Sequence, residues 1–334
     1  MLRNILNRLL STAVTLFGAA VIVFVVIRVV PGNPIAMMLP PGATEDDVAR
    51  LQALYGLDKS IFYQFLIWGQ GVLQGDFGTS ISLRQPVAGL VLGRLPATLE
   101  LATIALLIAI FLGGILALLG TRYRHTKTEA AVDVTSGMAL SVPDFLWGLV
   151  LMLLFGVLWP VFKISGRISP SLDIDFTTNF FFFEAFLRGR FDVVSNILSH
   201  SFMPALALAI PLAAIIAQLL KQSLKETMQL DYVTLARTKG YGENHVILRE
   251  ALPNAVLPTL TLVGVQFTFL IGGTIIVERL FSYEGIGNMA IDAVINRDLP
   301  LIQGIVILFA AIFTAINLLV DMIYVVMNPR LRHA

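Results

Sequence analysis

The chain has no cysteine among its 334 residues. Disulfides and thiolate metal sites are therefore excluded. Charge is scarce as well: Asp, Glu, Lys and Arg make up 13% of the chain, against roughly 25% in an average soluble protein. So few charges cannot cover a globule of this size, and lipid must replace the missing polar surface. A hydrophobic fraction of 57% points the same way, to an integral membrane protein. The net charge of +1 gives no reason to expect a nucleic-acid partner. His125, His200, His245 and His333 lie far apart with no ligand spacing, so no metal site is expected. No G-x-x-x-x-G-K-S/T phosphate loop is present, which leaves the chain no recognised means of binding ATP. Ser, His and Asp residues are scattered, with no nucleophile elbow and no paired-Asp arrangement. No catalytic residue and no cofactor of the chain's own is expected.

What the chain does have is long apolar runs. Six stretches can cross a bilayer, at roughly 9–30, 98–120, 134–160, 201–221, 259–278 and 301–325. The predicted fold class is an all-α integral membrane protein with six transmembrane helices. The first run, Leu9 to Ile27, is too long for a signal-peptide core and lacks a clear cleavage site, so it reads as a retained helix. The third run is interrupted by Pro143 and Asp144. A proline inside a membrane helix is tolerated where neighbours satisfy the freed carbonyl.

Lysine and arginine set the expected orientation. Segments 1–8, 121–133, 222–258 and 326–334 each carry basic residues, among them Arg3, Arg8, Arg122, Arg124, Lys127, Arg237, Lys239, Arg249, Arg330 and Arg332. Segments 31–97, 161–200 and 279–300 are longer and hold acids such as Glu45, Asp46, Asp47 and Asp175. Both termini are therefore expected inside. The organisation reads as an inside N-terminus and first helix (1–30), an outside segment (31–97) and a five-helix core (98–334). That core carries an inside loop at 222–258 and an outside segment at 161–200. Within 31–97, Thr44–Asp47 caps an expected short helix through Tyr55, and Ile61–Leu73 forms a second amphipathic stretch. Phe180–Phe183 reads most simply as an interfacial anchor.

The 222–258 loop is the longest inside segment. On a helix, Tyr232, Leu235, Ala236 and Lys239 fall at i, i+3, i+4 and i+7, one largely apolar stripe. Asp231, Thr234, Arg237 and Thr238 take the other side. Gly240 and Gly242 end this helix, and a second one, Glu243–Leu252, is expected to stop before Pro253. So short a helix is unstable alone in water. Its stripe needs a partner, either the protein's own spans and the bilayer surface or another protein.

The loop resembles the EAA loop of importer-type ABC permeases. Thr234, Leu235 and Ala236 stand at the E-A-A positions, Gly240 at the glycine, and Leu252 and Pro253 at the L-P. Thr234, Leu235 and Glu250 depart from the usual residues. The rest of the chain is similar from end to end to the first (B-type) permease subunit of dipeptide, oligopeptide and nickel ABC importers. The similar stretches include VVPGNP (29–34), QGDFGTSI (74–81), RLPATLELA (94–102), SVPDFLWG (141–148), DYVTLARTKG (231–240) and FSYEGIGNMAIDAVINRDLPLIQG (281–304). Glu284-Gly285 stands where many members have Pro-Gly, and Asn33 where many have Asp.

The resemblance implies the type I ABC importer permease fold in a bacterial inner membrane. It implies a coupling helix that inserts into a cleft of a separate ATPase subunit, with Tyr232, Leu235, Ala236, Arg237, Lys239, Gly240, Leu252 and Pro253 as ATPase-coupling residues. It also implies a second homologous permease, two ATPase subunits that bind ATP and magnesium, and a periplasmic binding protein. Peptides are the default cargo, with nickel complexes, glutathione and other small solutes carried by relatives. Asp144 is the one pathway candidate, either a helix cap at the proline break or a cavity-lining carboxylate. Arg28 reads as a snorkelling anchor, Glu100 and Arg279 as interfacial, and Asp321 as paired within the bundle. The competing function is an ion-driven secondary transporter. That would need ionisable residues near the midplane and repeated broken helices, which are not evident.

Overall fold

The computed structural model describes residues 2–29, 44, 46, 59–172 and 174–327. The expected short helix at 44–55 apart from Thr44 and Asp46, the VVPGNP stretch beyond Val29, and the side chains of Arg28 and Asp321 lie outside the described residues. Regular structure among the described residues is helical, apart from one isolated antiparallel bridge between Thr79 and Pro86. Twelve helices are used below: α1 (Leu2–Val29), α2 (Ile61–Leu73), α3 (Val87–Arg122), α4 (Lys127–Ser141), α5 (Asp144–Leu151), α6 (Phe181–Leu187), α7 (Phe191–Thr227), α8 (Asp231–Thr238), α9 (Glu243–His245), α10 (Leu252–Leu280), α11 (Ile286–Ile295) and α12 (Leu299–Met327).

The spans follow the apolar runs. Among the described residues α3, α7, α12 and the continuous run Glu243–Leu280 are each long and apolar enough to cross a membrane. A fifth apolar segment is a bent pair, α4 with Asp144–Leu158, whose halves meet at 101° and form either a broken span or a re-entrant loop. The bend falls at Val142–Pro143, where proline forces its predecessor into extended backbone, φ −109° and ψ 125° at Val142. The third run is thus two helices meeting at a sharp bend rather than the single helix expected at 134–160. α1 is a 28-residue helix, with Leu10–Val26 as its described apolar stretch. The set is consistent with six spans.

Contacts divide the chain into two compact units. The first comprises Met1–Leu95 and Met289–Ala315. Here Asp298 is fully buried. It accepts hydrogen bonds from Ser80 Oγ (2.5 Å), Ser82 Oγ (2.7 Å) and Ser82 N–H (2.9 Å), and its other oxygen caps the start of α12 at Leu301 N–H (3.2 Å). Burial pushes this carboxyl up, but the bonds from Ser80 and Ser82 outweigh it, and the net direction is down. The DFGTS turn is thereby pinned to the first turn of α12.

The second unit comprises Pro96–Asn288 and Ile316–Ala334, and α7 is its axis. Two thirds of the α7 apolar window is buried, against about one third for α3 and α10. Small residues make this possible. Ala205, Ala207, Ala209, Ala213, Ala214 and Ala217 are all buried on α7, and a Cβ placed on Gly113 of α3 would stand 2.6 Å from the Ala213 carbonyl. Backbones approach that closely in a bilayer because lipid supplies no hydrophobic drive and close packing must hold the helices together. α7 has 37 residues, about 55 Å at the helical rise, so it projects well beyond a hydrocarbon core of about 30 Å. At one end Lys221 bridges to Glu129 (3.2 Å) and Asp133 (2.5 Å) on α4.

The second short helix of the 222–258 loop does not stop at Pro253. α9 passes through a π-helical turn, Val246–Ala251, directly into α10. Proline lacks an N–H, and its ring crowds the carbonyl four residues back. A locally widened turn relieves that crowding without ending the helix. The loop is therefore continuous with a span.

Candidate functional site

α8 sits between the end of α7 and the start of α9. Asp231 lies in its first turn and Arg237 in its last, both favourable to the helix dipole. It ends as expected at Gly240, whose φ is +83°. Gly240 N–H donates to Arg237 O at 2.9 Å, and Tyr241 N–H donates to Ala236 O at 3.3 Å. That is a glycine-terminated reverse turn closing the helix. A Cβ here would touch nothing within 4 Å, so glycine is required for its backbone angle and not for space.

The expected stripe divides between two faces. Ala236 points inward with Val233, and both are buried in a cluster formed by Ala117, Leu220, Leu224, Met228, Val246, Ile247, Ala251 and Ala255. Tyr232 and Leu235 point outward, 38% and 55% exposed, and Lys239 is exposed beside them. Leu230, Tyr241 and Leu248 are also exposed. Arg237 turns back. Its guanidinium donates to Glu243 Oε1 (3.1 Å) and Oε2 (3.4 Å), and to the Met228 carbonyl (3.4 Å). One side chain thus ties the end of α7, α8 and the start of α9. Tyr232 Oη accepts from Asn254 Nδ2 at 2.8 Å, and Arg122 at the end of α3 donates to Asn244 at 2.7 Å. Leu252 packs against the same cluster, while Pro253 is exposed in the first turn of α10.

The structure therefore brings together Tyr232, Leu235, Ala236, Arg237, Lys239, Gly240, Leu252 and Pro253 on one base, but in two layers. Ala236, Arg237 and Leu252 build the base, and Tyr232, Leu235, Lys239 and Pro253 face out. Val233 is the residue that the stripe omitted. The signal was present: Lys239 in an apolar stripe is out of place, and centring the wheel on Val233, Ala236 and Gly240 places every charged residue but Arg237 outward. Asp144 does not join this group. It opens α5 after Pro143, and its Oδ1 accepts from the Phe145 N–H at 2.7 Å. Its Oδ2 lies 3.6 Å from where a Cβ on Gly273 would stand.

The opposite end of the same unit buries three charges, of which Glu100 is the one expected at the interface. Glu100 and Arg167 are both buried and pair at 2.5 Å. Glu100 also accepts from Phe182 N–H at 3.0 Å, and Arg167 stacks over the Phe181 ring at 4.0 Å. Glu278 is fully buried, accepting from Thr98 Oγ1 (2.7 Å) and Asn288 N–H (3.1 Å). Thr98 in turn accepts from Ile286 N–H at 2.9 Å. Tyr283 is buried with its hydroxyl 3.1 Å from Ser201 Oγ, and burial raises its pKa to about 12. Phe181 and Phe182 pack on the small core of Ala185, Val193, Val194 and Ile197, while Phe180 and Phe183 stay exposed. Among the described residues no cluster of three metal-ligating side chains occurs.

Residues 109–333 match the family described as the binding-protein-dependent transport system inner membrane component, and residues 1–102 match its N-terminal region. The chain belongs to that family. It is 35% identical to the dipeptide transport system permease protein DppB of Escherichia coli (strain K12), over 100% of this chain and 99% of the relative. The glutathione transport system permease protein GsiC of Salmonella typhi is 32% identical with both chains fully covered. The oligopeptide transport system permease protein AppB of Bacillus subtilis (strain 168) is 29% identical over 98% of this chain and 99% of that one. A solved amino acid ABC transporter chain, crystallised with histidines, superposes with a TM-score of 0.47 at 17% identity, covering 72% of this chain and 94% of that one. The permease is thus a membrane component of a binding-protein-dependent ABC import system.

Proposed function

We propose that this permease forms half of the translocation pathway of an ATP-driven importer for peptides or related small solutes. A second homologous permease forms the other half. Two ATPase subunits bind ATP and magnesium on the cytoplasmic side, and a periplasmic binding protein delivers the cargo. The chain lies in a bacterial inner membrane with both termini inside.

The observation that carries the proposal is the outward face of α8. Tyr232 and Leu235 are exposed on a helix whose other side is anchored by Val233, Ala236 and Arg237. An apolar face on a short helix suits insertion into a groove of a partner. Burying one such side chain fully contributes roughly 1.5–3 kcal/mol. The base runs through the π turn into α10, so a push on α8 moves a whole span, which is what a lever between ATPase and pathway requires. The peptide class rests on similarity to relatives named for dipeptides and oligopeptides.

The test is mild-detergent purification of the tagged permease from its host, followed by mass spectrometry of the bound proteins. A second permease and ATPase subunits are expected, and the ATPases should be lost on Leu235→Asp. Uptake in reconstituted vesicles should need ATP and binding protein, with peptides competing. Recovery of the chain alone, with ATP-independent and ion-dependent uptake, would overturn the proposal.

A further inference from the structure

α2 is a helix without charge, IFYQFLIWGQGVL, and none of its residues is buried. One side is used. The Phe65 ring stands 6.1 Å from Phe17 and 5.0 Å from Phe24 on α1, and Trp68 stands 5.4 Å from Phe24 and 5.9 Å from Phe65. Phe17 and Phe24 are seven residues apart in sequence, two turns, so they share a face of α1 about 10 Å apart along its axis. Phe65 fits between them. Both ring partners lie within the uncharged run Leu9–Ile27, and α2 therefore packs beside the part of α1 that crosses hydrocarbon, not beyond its end.

The other side of α2 is apolar and bare. Phe62, Leu66 and Leu73 fall within about 40° of one another on the helical wheel, with exposures of 85%, 67% and 89%. Water is the wrong solvent for such a stripe at that level. Charged groups occur only at the two ends. Lys59 precedes the helix with its Nζ 4.5 Å from the Tyr63 ring centroid, and Asp76 follows it, accepting from Gly78 N–H at 2.8 Å. A long lysine can reach the interface while its stem stays in the apolar layer. Ser60 caps the first turn through the Tyr63 N–H, and Gln74 N–H and Asp76 N–H close the last turn onto Gly71 O at 2.9 Å each. The helix ends therefore need little water.

We infer that α2 is an embedded helix whose Phe62–Leu66–Leu73 stripe contacts lipid acyl chains, in the leaflet nearer the C-terminal end of α1. The partner of this surface is the bilayer. The segment between the first two spans is thus not wholly aqueous. α2 widens the lipid-facing perimeter of the first unit and holds α1 through the aromatic ladder. This depends on α1 crossing the membrane and on neither the cargo nor the coupling role.

The absence of cysteine makes the test direct. Single variants Phe62→Cys, Leu66→Cys and Leu73→Cys carry a nitroxide in the full-length chain, reconstituted in phosphatidylcholine–phosphatidylglycerol nanodiscs. Gln85→Cys, in the segment after α2, is the aqueous control. Collisional access to oxygen and to a water-soluble nickel chelate is then measured. The oxygen-to-nickel access ratio is expected to be at least fivefold higher at all three stripe positions than at residue 85. A ratio equal to that of residue 85 would place the stripe in water and overturn the inference. Low access to both reagents would place it against protein, such as a second subunit, and would overturn it equally.

Discussion

The two ends of the α7 unit are built on opposite principles. The end that carries the 222–258 loop is held by an apolar cluster and by partly exposed ion pairs, Arg237 with Glu243 and Lys221 with Glu129 and Asp133, and it leaves large apolar groups facing out. The opposite end buries its charges. Glu100, Arg167 and Glu278 are all below one tenth exposed, and each carboxylate finds donors. A buried polar network is costly when any member goes missing, because the rest stay desolvated. An apolar cluster yields gradually and leaves no orphan. The difference teaches where rigidity lies. The network end should fail in large steps when touched, and the loop end in small ones.

The largest step is expected at the Glu100–Arg167 pair. Arg167→Met leaves Glu100 buried without its cation, and also frees the Asn179 carbonyl, which Arg167 reaches at 2.7 Å. Breaking a buried pair on one side costs about 3–5 kcal/mol, whereas replacing both partners with apolar residues is close to neutral. The double variant Glu100→Leu with Arg167→Met should therefore recover most of the thermal stability lost in the single one. Melting of the detergent-solubilised chain measures this. Equal losses in single and double variants would show that packing around Phe181, not charge, is what matters there.

Next comes Gly285, whose missing side chain makes room for the Glu278 carboxylate. A Cβ at Gly285 would stand 2.3–2.5 Å from the Glu278 carboxyl atoms. The carboxylate cannot move aside without releasing Thr98 and the Asn288 N–H. Gly285→Ala should destabilise by about 1–3 kcal/mol, the usual cost of overpacking. Glu278→Ala should mask this, so that the two changes are strongly non-additive. Independent, additive losses on thermal melting would separate the glycine from the carboxylate.

These two sites mark what the sequence could and could not disclose. The spans were legible because hydropathy reports lipid contact directly: four of the five core runs lie inside observed helices, and the fifth overruns the bent pair by two residues. The proline break was legible too, though not its sharpness. The stop before Pro253 was misread because proline is a reliable terminator only when the preceding turn stays α-helical, and here a π turn absorbs the ring. Glu100 was misread, and the burial of Glu278 missed, for a different reason. A charge near the end of an apolar run looks interfacial, and only tertiary structure reveals a partner 67 or 180 residues away. Splitting of the α8 stripe was half legible: the period was right, but one residue of phase, Val233, decides which face is inside.

A smaller step on the network side depends on acidity. Glu184 on α6 accepts from the N–H and hydroxyl groups of Thr177 and Thr178, at 2.6–3.0 Å, and pairs with Arg188. The Thr178 hydroxyl bond, the largest cause, helps pull its pKa from the ordinary 4.5 to about 2. A depressed carboxyl stabilises the fold above its unfolded pKa and loses that contribution as pH falls through the folded one. Hydrogen-exchange protection across 177–190 should therefore hold at pH 6 and decline progressively between about pH 4.5 and 2. Glu184→Gln should flatten this decline. A profile unchanged by Glu184→Gln would assign the acid sensitivity to another group, with the exposed Arg190–Asp192 pair as the neighbouring alternative.

At the loop end the steps shrink. Gly240→Ala keeps the space but forces a side chain into the left-handed region, at a cost of roughly 1–2 kcal/mol, and Gly240→Val is worse because it is branched at Cβ. Membrane insertion should be intact in both. The C-terminal turn of α8 should fray, and ATPase co-purification should fall in the order glycine, alanine, valine. Normal transport by the valine variant would count strongly against docking through this helix.

The smallest effect on folding, and the sharpest on assembly, is expected at Leu235. Its side chain is 55% exposed and no part of the inner cluster depends on it. Leu235→Asp should shift the stability of the isolated chain by no more than about 0.5 kcal/mol, as surface changes do. An acid placed on an apolar docking face must be desolvated when a partner covers it, so binding suffers where folding does not. Val233→Asp is the matched contrast, since Val233 is wholly buried two residues away on the inner face. It should unfold the loop and lose assembly together. If Leu235→Asp lowers the melting temperature as much as Val233→Asp does, then α8 presents no free face, and docking through it is overturned.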